Sequence, residues 1–222
     1  ADKKELVKRN VLNIITSYFE GLDKANGNKK YKFKEEDFMS CEVEVVPAGR
    51  ARDMGVDRSM ILGYGHDDRV CAYPSLMAVA NIKKPQKTAV CVLADKEEIG
   101  SVGNTGLNSD FLLHIISDIA RMQGVEPHDA LRNSKCLSAD VNSAVDPTFQ
   151  DAFEKRNASF INKGVVITKY TGARGKSGSN DAGAEYMAEI RNMLDSANII
   201  WQTGELGKVD LGGGGTVAQY IA

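Results

Sequence analysis

The stretch TAVCVLADKEEIGSVG, residues 88–103, joins an apolar run of strand length to four consecutive charged side chains and a loop of small residues. The run over residues 88–94 carries no charge, as expected of a strand that is covered on both faces of a parallel sheet. Glu97 and Glu98 follow its end. Such a pair is either a solvated turn or part of an acid/base and metal-binding site, and the neighbouring strands decide between the two.

Helices and apolar strands alternate outward from this stretch. Apolar residues at helical spacing predict helices over residues 3–22, 67–82, 108–124 and 180–197. Strands are predicted over residues 41–47, 60–64, 88–94, 135–141, 164–170 and 198–204. Mostly apolar strands separated by helices predict an α/β fold, with a mainly parallel sheet and helices on both faces.

The composition is that of an ordinary globular domain. The chain has 222 residues, of which 42% are apolar and 26% charged, enough for one sizeable core. The net charge is −2, and no apolar run approaches the roughly 20 residues of a membrane span. We therefore expect no nucleic-acid or membrane partner. Four widely spaced cysteines, three of them in apolar segments, indicate reduced thiols of a cytoplasmic protein.

The two ends of the sequence indicate a fragment of a longer protein. The chain opens ADKKELVK, without a methionine. It closes GGGGTVAQYIA, a glycine run that leads into an apolar stretch without a stop signal.

Acidic residues follow three of the predicted strands, in the groups Asp67 and Asp68; Asp95, Glu97 and Glu98; and Asp140. The carboxyl ends of parallel strands share one edge of a sheet, so these carboxylates are expected to meet. Nearby cations are too few to balance them, whereas divalent zinc, manganese or cobalt accept carboxylate oxygens. From the residues alone, three plainer interpretations stay open: a solvated loop at residues 97–98, a helix-dipole arrangement at DDR, and a helix cap at Asp140.

Five blocks carry a resemblance to a known family: GHDDRVCAYPSL, LADKEEIGSVGNTGLNSDF, CLSADVNSAVDP, GKSGSNDAGAE and GGGGT. In this order they resemble the aminopeptidase I / aspartyl aminopeptidase family of dinuclear zinc metallopeptidases, and most of all its bacterial branch. The resemblance runs from about residue 40 to the end. It implies a zinc-exopeptidase-like (phosphorylase/hydrolase-like) α/β fold that is incomplete at both ends. Residues 1–40 would be the end of an inserted oligomerisation region, and residues 41–222 the central part of the catalytic domain.

The resemblance also implies roles for single residues. Asp67 matches the carboxylate that bridges two metal ions, and Glu97 the general base that acts on the water between them. Glu98 and Asp140 match terminal ligands, one for each metal. A substrate pocket is implied by Gly213, Gly214 and Gly215 and, more distantly, by Lys176 and Asn180. The implied cofactors are two divalent ions, zinc first, with manganese or cobalt also accepted.

The implied function is release of N-terminal amino acids from peptides, by a homo-oligomer that in this family is a dodecamer. The family needs two further histidine ligands, one in an H-x-D motif and one beyond the glycine run. None of His66, His114 and His128 has the H-x-D context. We therefore expect this chain alone to bind metal weakly and to be inactive. The alternative is a non-catalytic assembly or binding domain. GGGGT lacks the G-K-[ST] ending of a phosphate-binding loop.

Overall fold

The computed structural model describes residues 3–27, 33–173, 177–208, 210–211 and 213–221. The chain divides into two compact units, Ala1–Arg50 and Ala51–Ala222. The sequence predicts a boundary ten residues earlier, and the roles that it gives to the two parts stay predictions. None of the described helices is long and apolar enough to cross a membrane.

The first unit consists of two helices, α1 (Lys3–Ala25) and α2 (Glu35–Ser40). Helix α1 confirms the predicted helix and leaves much of its apolar face in solvent, with Val7 65% and Ile14 71% exposed. The ring of Phe33 stacks on that of Phe19 at a centroid distance of 5.1 Å. The strand predicted over residues 41–47 is wrong. Its valines lie in solvent without a pairing partner among the described residues, so the alternating pattern alone does not produce a strand.

Four helices lie in the second unit: α3 (His66–Ala80), α4 (Phe111–Met122), α5 (Pro127–Arg132) and α6 (Ala184–Ser196). Three of them confirm predicted helices. Helix α4 begins three residues after the predicted start at residue 108, and the backbone N–H of Asn108 bonds to Ser101 in the preceding loop. Helix α5 was not predicted, although proline at its first helical position is a recognised start signal.

The strands of the second unit form three two-stranded sheets among the described residues. β1 (Arg52–Met54) and β2 (Met60–Leu62) are antiparallel, as are β4 (Tyr170–Ala173) and β5 (Ser177–Asp181). β3 (Val165–Ile167) and β6 (Trp201–Thr203) are parallel, and helix α6 lies in the connection between them. A parallel pair needs such a crossover, so this part of the chain is an α/β unit, as predicted.

Two predicted strands, residues 88–94 and 135–141, are wrong as hydrogen-bonded strands. No backbone hydrogen bond joins either segment to a neighbouring strand within the described part of the chain. Their apolar side chains are exposed, with Leu93 at 56% and Leu137 at 65%. An apolar run predicts a tendency to form a strand, but a ladder also needs a partner, and the described residues contain none for these segments.

The core is correspondingly small. The buried apolar side chains of the described residues are Leu107, Ala120, Phe153, Ala158 and Leu194. Of these residues, Leu194 lies on α6, in the connection between β3 and β6. The side chain of Gln202 links β6 to the backbone of Phe160. It accepts the N–H of Phe160 and donates to the carbonyl of the same residue, both at 2.9 Å.

Candidate metal centre

Asp67 and Asp68 stand at the point where α3 becomes regular. Both have non-helical backbone angles, and the peptide bond between them is cis. Oδ1 of Asp68 accepts the backbone N–H of Cys71 at 3.3 Å, which is the bond of a helix N-cap. This cap sets the start of the regular part of α3 after Asp68. Asp67 therefore lies directly before the first regular turn.

Asp140 joins these two residues from a distant part of the chain. Carboxylate oxygens of Asp67, Asp68 and Asp140 all lie within 4.8 Å of one another. One Asp140 oxygen also accepts the N–H of Val141 at 2.7 Å. The structure therefore brings together carboxylates from the ends of two predicted strands, at residues 60–64 and 135–141.

Glu97 and Glu98 lie on a tightly turned loop. They begin a short 3-10 turn, Glu97–Ile99, between Lys96 and Gly100, which both have left-handed backbone angles. Ser101 also has a positive φ of 57°, and it is 2% exposed. Non-glycine residues seldom adopt this conformation, and such strain often occurs at functional sites.

Several hydrogen bonds hold this loop closed. The N–H of Ser101 donates to the carbonyl of Lys96 at 2.8 Å, and the hydroxyl of Thr105 donates to Oδ2 of Asp95 at 2.9 Å. Gly106 passes so close to Ser101 that a Cβ at this position would lie 2.1 Å from the Ser101 carbonyl oxygen. Asp95 is thus engaged by Thr105, while Glu97 and Glu98 remain exposed.

The carboxylates influence one another electrically. Partial burial raises the pKa of Glu97, and the charges of Asp140, Glu98, Asp67 and Asp68 raise it further. Partial burial also raises the pKa of Asp140, against the opposing hydrogen bond from Val141. Asp67, Asp68 and Glu98 add to the rise at Asp140. The charges of Glu97, Glu98 and the three aspartates thus oppose one another, although the two glutamates are not part of the three-carboxylate cluster.

Burial also raises the pKa of the Cys71 thiol to about 12, and the hydrogen bond and charge of Asp68 contribute to the rise. A thiol with this pKa stays protonated at neutral pH and is a poor metal ligand. The candidate ligands that the described residues bring together here are the carboxylate oxygens of Asp67, Asp68 and Asp140.

The glycine run lies against β4. The N–H of Gly172 donates to the carbonyl of Gly214 at 3.1 Å, and a Cβ on Gly213 would meet the carbonyl oxygen of Gly172 at 2.4 Å. Gly213 also lines a cavity of about 420 Å³, whose other walls are Ser143, Asp151, Ala152, Phe153, Leu206, Gly207, Lys208 and Leu211. The close approach explains why glycine is needed there, and the cavity is large enough for an amino-acid side chain.

Some of the predicted site residues lie in the acidic cluster, others lie elsewhere in the fold, and one lies outside the described residues. Asp67 and Asp140 lie in the three-carboxylate cluster, whereas Glu98 lies outside it and Asp68 takes part in it. Asn180 pairs with Thr171 in the β4–β5 hairpin, Gly215 is exposed in the glycine run, and Lys176 lies outside the described residues. The sequence places Asp68 among the carboxylates expected to meet, the resemblance assigns it no role of its own, and the structure puts it in the cluster.

The cluster fits a divalent cation. Zinc binds carboxylate oxygens at about 2.0–2.2 Å, so two ligand oxygens of one ion lie up to about 4.4 Å apart. The 4.8 Å spread of the three aspartate oxygens is close to this limit. Like charges at this spacing repel, and a cation is the group that would relieve the repulsion. The exposed His66 next to Asp67 is not part of the cluster as described.

Comparison with known proteins identifies the family of the chain. The sequence model of the aminopeptidase I zinc metalloprotease (M18) family matches residues 23–222, most of the chain. The chain belongs to the M18 family. The M18 chain is 48% identical over 225 residues to the probable M18 family aminopeptidase 1 of Clostridium acetobutylicum, covering 100% of this chain and 46% of that protein. For the Thermotoga maritima relative the identity is 44%, with coverages of 100% and 47%.

The fold comparison gives the same result. The crystal structure of aminopeptidase I from Clostridium acetobutylicum superimposes with a TM-score of 0.81 over 100% of this chain and 46% of that chain. The S. cerevisiae mApe1 dodecamer, at 20% identity and a TM-score of 0.55 over 72% of this chain and 38% of that one, shares the fold alone. The M18 chain thus has an α/β fold of this family, and it spans about half the length of the curated relatives it matches.

Proposed function

We propose that the whole protein is a metal-dependent aminopeptidase that releases N-terminal amino acids from peptides. The observation that carries the proposal is the convergence of Asp67, Asp68 and Asp140 in a chain of the M18 family. The M18 relatives are named aminopeptidases, and the family is described as zinc metalloproteases.

Asp67, Asp140 and Glu98 are the residues that would hold the metal. Two ions, zinc first and manganese or cobalt as substitutes, are proposed on the resemblance and on the oxygen-rich donor set. When bound, such ions make water a stronger nucleophile and polarise the scissile carbonyl. The carboxylate of Asp68 caps α3, and this cap helps to set the position of Asp67, the residue before it.

Glu97 is proposed to move the proton. It accepts a proton from the attacking water and delivers it to the departing amine. Burial and neighbouring carboxylates raise its pKa, which brings the group nearer to neutral pH, where a general base and acid works best. The exposed position of Glu97 leaves its carboxylate accessible to water and substrate.

The peptide's N-terminal residue is proposed to bind near the glycine run. Gly213 lines the cavity, Gly214 and Gly215 continue the run, and Asn180 lies in the hairpin next to it. Lys176 is included on the resemblance alone. A homo-oligomer in the cytoplasm is proposed as well, since the related yeast protein was solved as a dodecamer and all four cysteines of this chain are free.

The test uses the whole protein, loaded with zinc, manganese or cobalt, on a panel of chromogenic aminoacyl substrates. Glu97→Gln should lower kcat by about 10²–10⁴-fold and leave the bound metal in place. Glu98→Gln should lower the metal content instead. Glu185→Gln, an exposed glutamate in the first turn of α6, is the matched control. Equal activity of Glu97→Gln and this control would remove Glu97 as the base.

Residues 1–222 alone are proposed to bind metal weakly and to be nearly inactive, because the cluster supplies about half of the ligands that two ions need. Metal analysis after dialysis tests this, and two tightly bound zinc ions per chain would contradict it. If the loaded whole protein hydrolyses none of the substrates, the alternative of a non-catalytic assembly or binding domain takes its place.

A further inference from the structure

The segment that carries Asp140 has little backbone support of its own. No backbone hydrogen bond joins residues 135–141 to a strand in the part of the chain that the structure describes. Yet Asp140 lies within 4.8 Å of two like-charged carboxylates, which repel it. Side-chain contacts must therefore hold the segment where it is.

Side-chain contacts from other parts of the chain reach this segment at its start, where Lys135 also faces the ring of Tyr186 at 5.6 Å, and in its middle. At its start, Lys135 forms an ion pair with Glu189 of α6, and both side chains are more than half exposed. In its middle, the hydroxyl of Thr216 donates to Oγ of Ser138 at 2.8 Å. Ser138 lies two residues before Asp140, so the second contact is the nearer one to the acidic cluster.

Thr216 is itself well fixed. Its Oγ1 accepts the N–H of Ala218 at 3.2 Å and so caps the 3-10 turn Val217–Tyr220. The hydroxyl proton is then directed to Ser138. On the other side of Thr216, Gly214 is hydrogen-bonded to Gly172 of β4. The glycine run is therefore anchored to β4 at one end and to the Asp140 segment at the other.

We propose that Thr216 is a positioning residue that, through Ser138, holds Asp140 at the metal site and couples it to the glycine run. The inference rests on the proposed metal site. When no metal ion is bound, the hydroxyl of Thr216 keeps the Asp140 segment in place against the repulsion from Asp67 and Asp68. Loss of the contact allows Asp140 to move away from Asp67 and Asp68, which loosens the site for a cation.

The experiment measures metal binding by the whole protein, with Co²⁺ as the probe. Ser138→Ala removes the acceptor and leaves the cap of Thr216 intact. Thr216→Val removes both bonds, and Thr216→Ser keeps both. Dissociation constants come from chelator competition, coordination from the visible absorption of Co²⁺, and stability from thermal unfolding of the metal-free protein.

Ser138→Ala and Thr216→Val should each weaken Co²⁺ binding by about three- to tenfold, the range for loss of one hydrogen bond, and change the absorption spectrum. Thr216→Ser should match the unmodified protein in both. The double change Ser138→Ala with Thr216→Val should weaken binding no further than Thr216→Val alone. Ser134→Ala, whose hydroxyl bonds to the carbonyl of Ala130, is the control and should change nothing at the metal.

Unchanged affinity and spectrum in Ser138→Ala would overturn the role of Thr216. A lower melting temperature of the metal-free protein with unchanged Co²⁺ affinity would do the same, because it would indicate a purely structural contact. If the unmodified protein binds no Co²⁺, the proposed metal site itself fails, and the role of Thr216 with it.

Discussion

Glu97 and Asp140 lie on segments that the chain supports in different ways. The loop around Glu97 is closed by contacts within about ten residues: Ser101 to Lys96, Thr105 to Asp95, and Gly106 against Ser101. The segment around Asp140 depends on residues 54 and 78 positions away, Glu189 and Thr216. One side of the acidic site is therefore locally folded, whereas the other depends on the tertiary structure.

This difference implies that the two sides respond to different changes. Changes to its own glycines or to its closing hydrogen bond should destabilise the Glu97 loop. The Asp140 segment should respond to changes on α6 and at the glycine run. A cation bound by carboxylates of both segments should link them, so the two segments should respond more alike in the metal-loaded protein than in the metal-free protein.

The largest effect is expected from Gly106→Ala. A Cβ there would lie 2.1 Å from the carbonyl oxygen of Ser101 and 2.6 Å from that of Val102, so the backbone of the loop must open. We expect the free energy of unfolding to fall by about 3 kcal/mol, the upper end for overpacking. Urea denaturation of the whole protein measures it.

Gly100→Asn is the control within the same loop. Gly100 has a φ of 91° but no atom within 4 Å of an added Cβ, and asparagine tolerates left-handed backbone angles better than most residues. We expect a loss of less than about 1 kcal/mol. Equal losses in the two variants would show that backbone conformation, and not close packing, holds the loop.

A divalent cation should stabilise the protein by about 2.7 kcal/mol at a concentration 100 times its dissociation constant. The stabilisation should be present at pH 7 and fade under acid conditions, as protonation removes the carboxylate ligands. Thermal unfolding with and without zinc, at pH 7 and about pH 4, measures it. Equal stabilisation at both pH values would place the metal at another site.

In the metal-free protein, Glu97 and Asp140 should produce the opposite trend, so that their contribution to the stability of the fold falls as pH rises. The pKa values of Glu97 and Asp140 are raised in the folded state, so the folded state binds more protons than the unfolded state in this range. Their contribution therefore destabilises the fold as pH rises from the usual carboxyl pKa, about 4, through the raised values. Replacing both residues by amides should flatten this part of the pH profile.

A smaller effect is expected from Thr105→Val, which removes the hydrogen bond to Asp95. The bond is exposed, so a loss of about 0.5–1 kcal/mol is expected. Hydrogen exchange should become faster at residues 96–101 and stay the same at residues 135–141. Thr105→Ser keeps the hydroxyl and should behave like the unmodified protein. Faster exchange in both segments would contradict the local character of the Glu97 loop.

The smallest effect is expected from Lys135→Met. The ion pair with Glu189 has side chains 57% and 56% exposed, and such pairs contribute about 0–1 kcal/mol. A double-mutant cycle with Glu189→Gln, at low and high salt, isolates the pair. A loss of stability in Lys135→Met with no coupling to Glu189 would mean that Lys135 acts through Tyr186, whose ring its ammonium group faces at 5.6 Å.

The sequence predicted what depends on nearby residues. Helical spacing located α1, α3, α4 and α6, and the apolar run before DKEE located the loop of Glu97 and Glu98. Asp67 and Asp140 meet as predicted. The parallel sheet edge from which this was predicted is not formed by the described residues, because β2 is antiparallel to β1 and residues 135–141 are unpaired.

The sequence did not predict what depends on remote residues. The partner of Ser138 is 78 positions away, and no spacing rule indicates it. The cap made by Asp68 needs the non-helical angles of the DD pair, which the helical pattern hides. Residues 88–94 have a strand composition, but the described residues provide no strand to pair with them.

Residues 88–94 have a further consequence for handling the protein. They are seven residues without charge or proline, rich in β-branched and aliphatic side chains, and largely exposed. Such a segment is a template for cross-β aggregation between molecules, and Lys87 and Asp95 at its two ends are gatekeeper charges that oppose it. In residues 1–222 alone, the apolar run that leads to Glu97 is thus the segment where we expect fibril formation to begin.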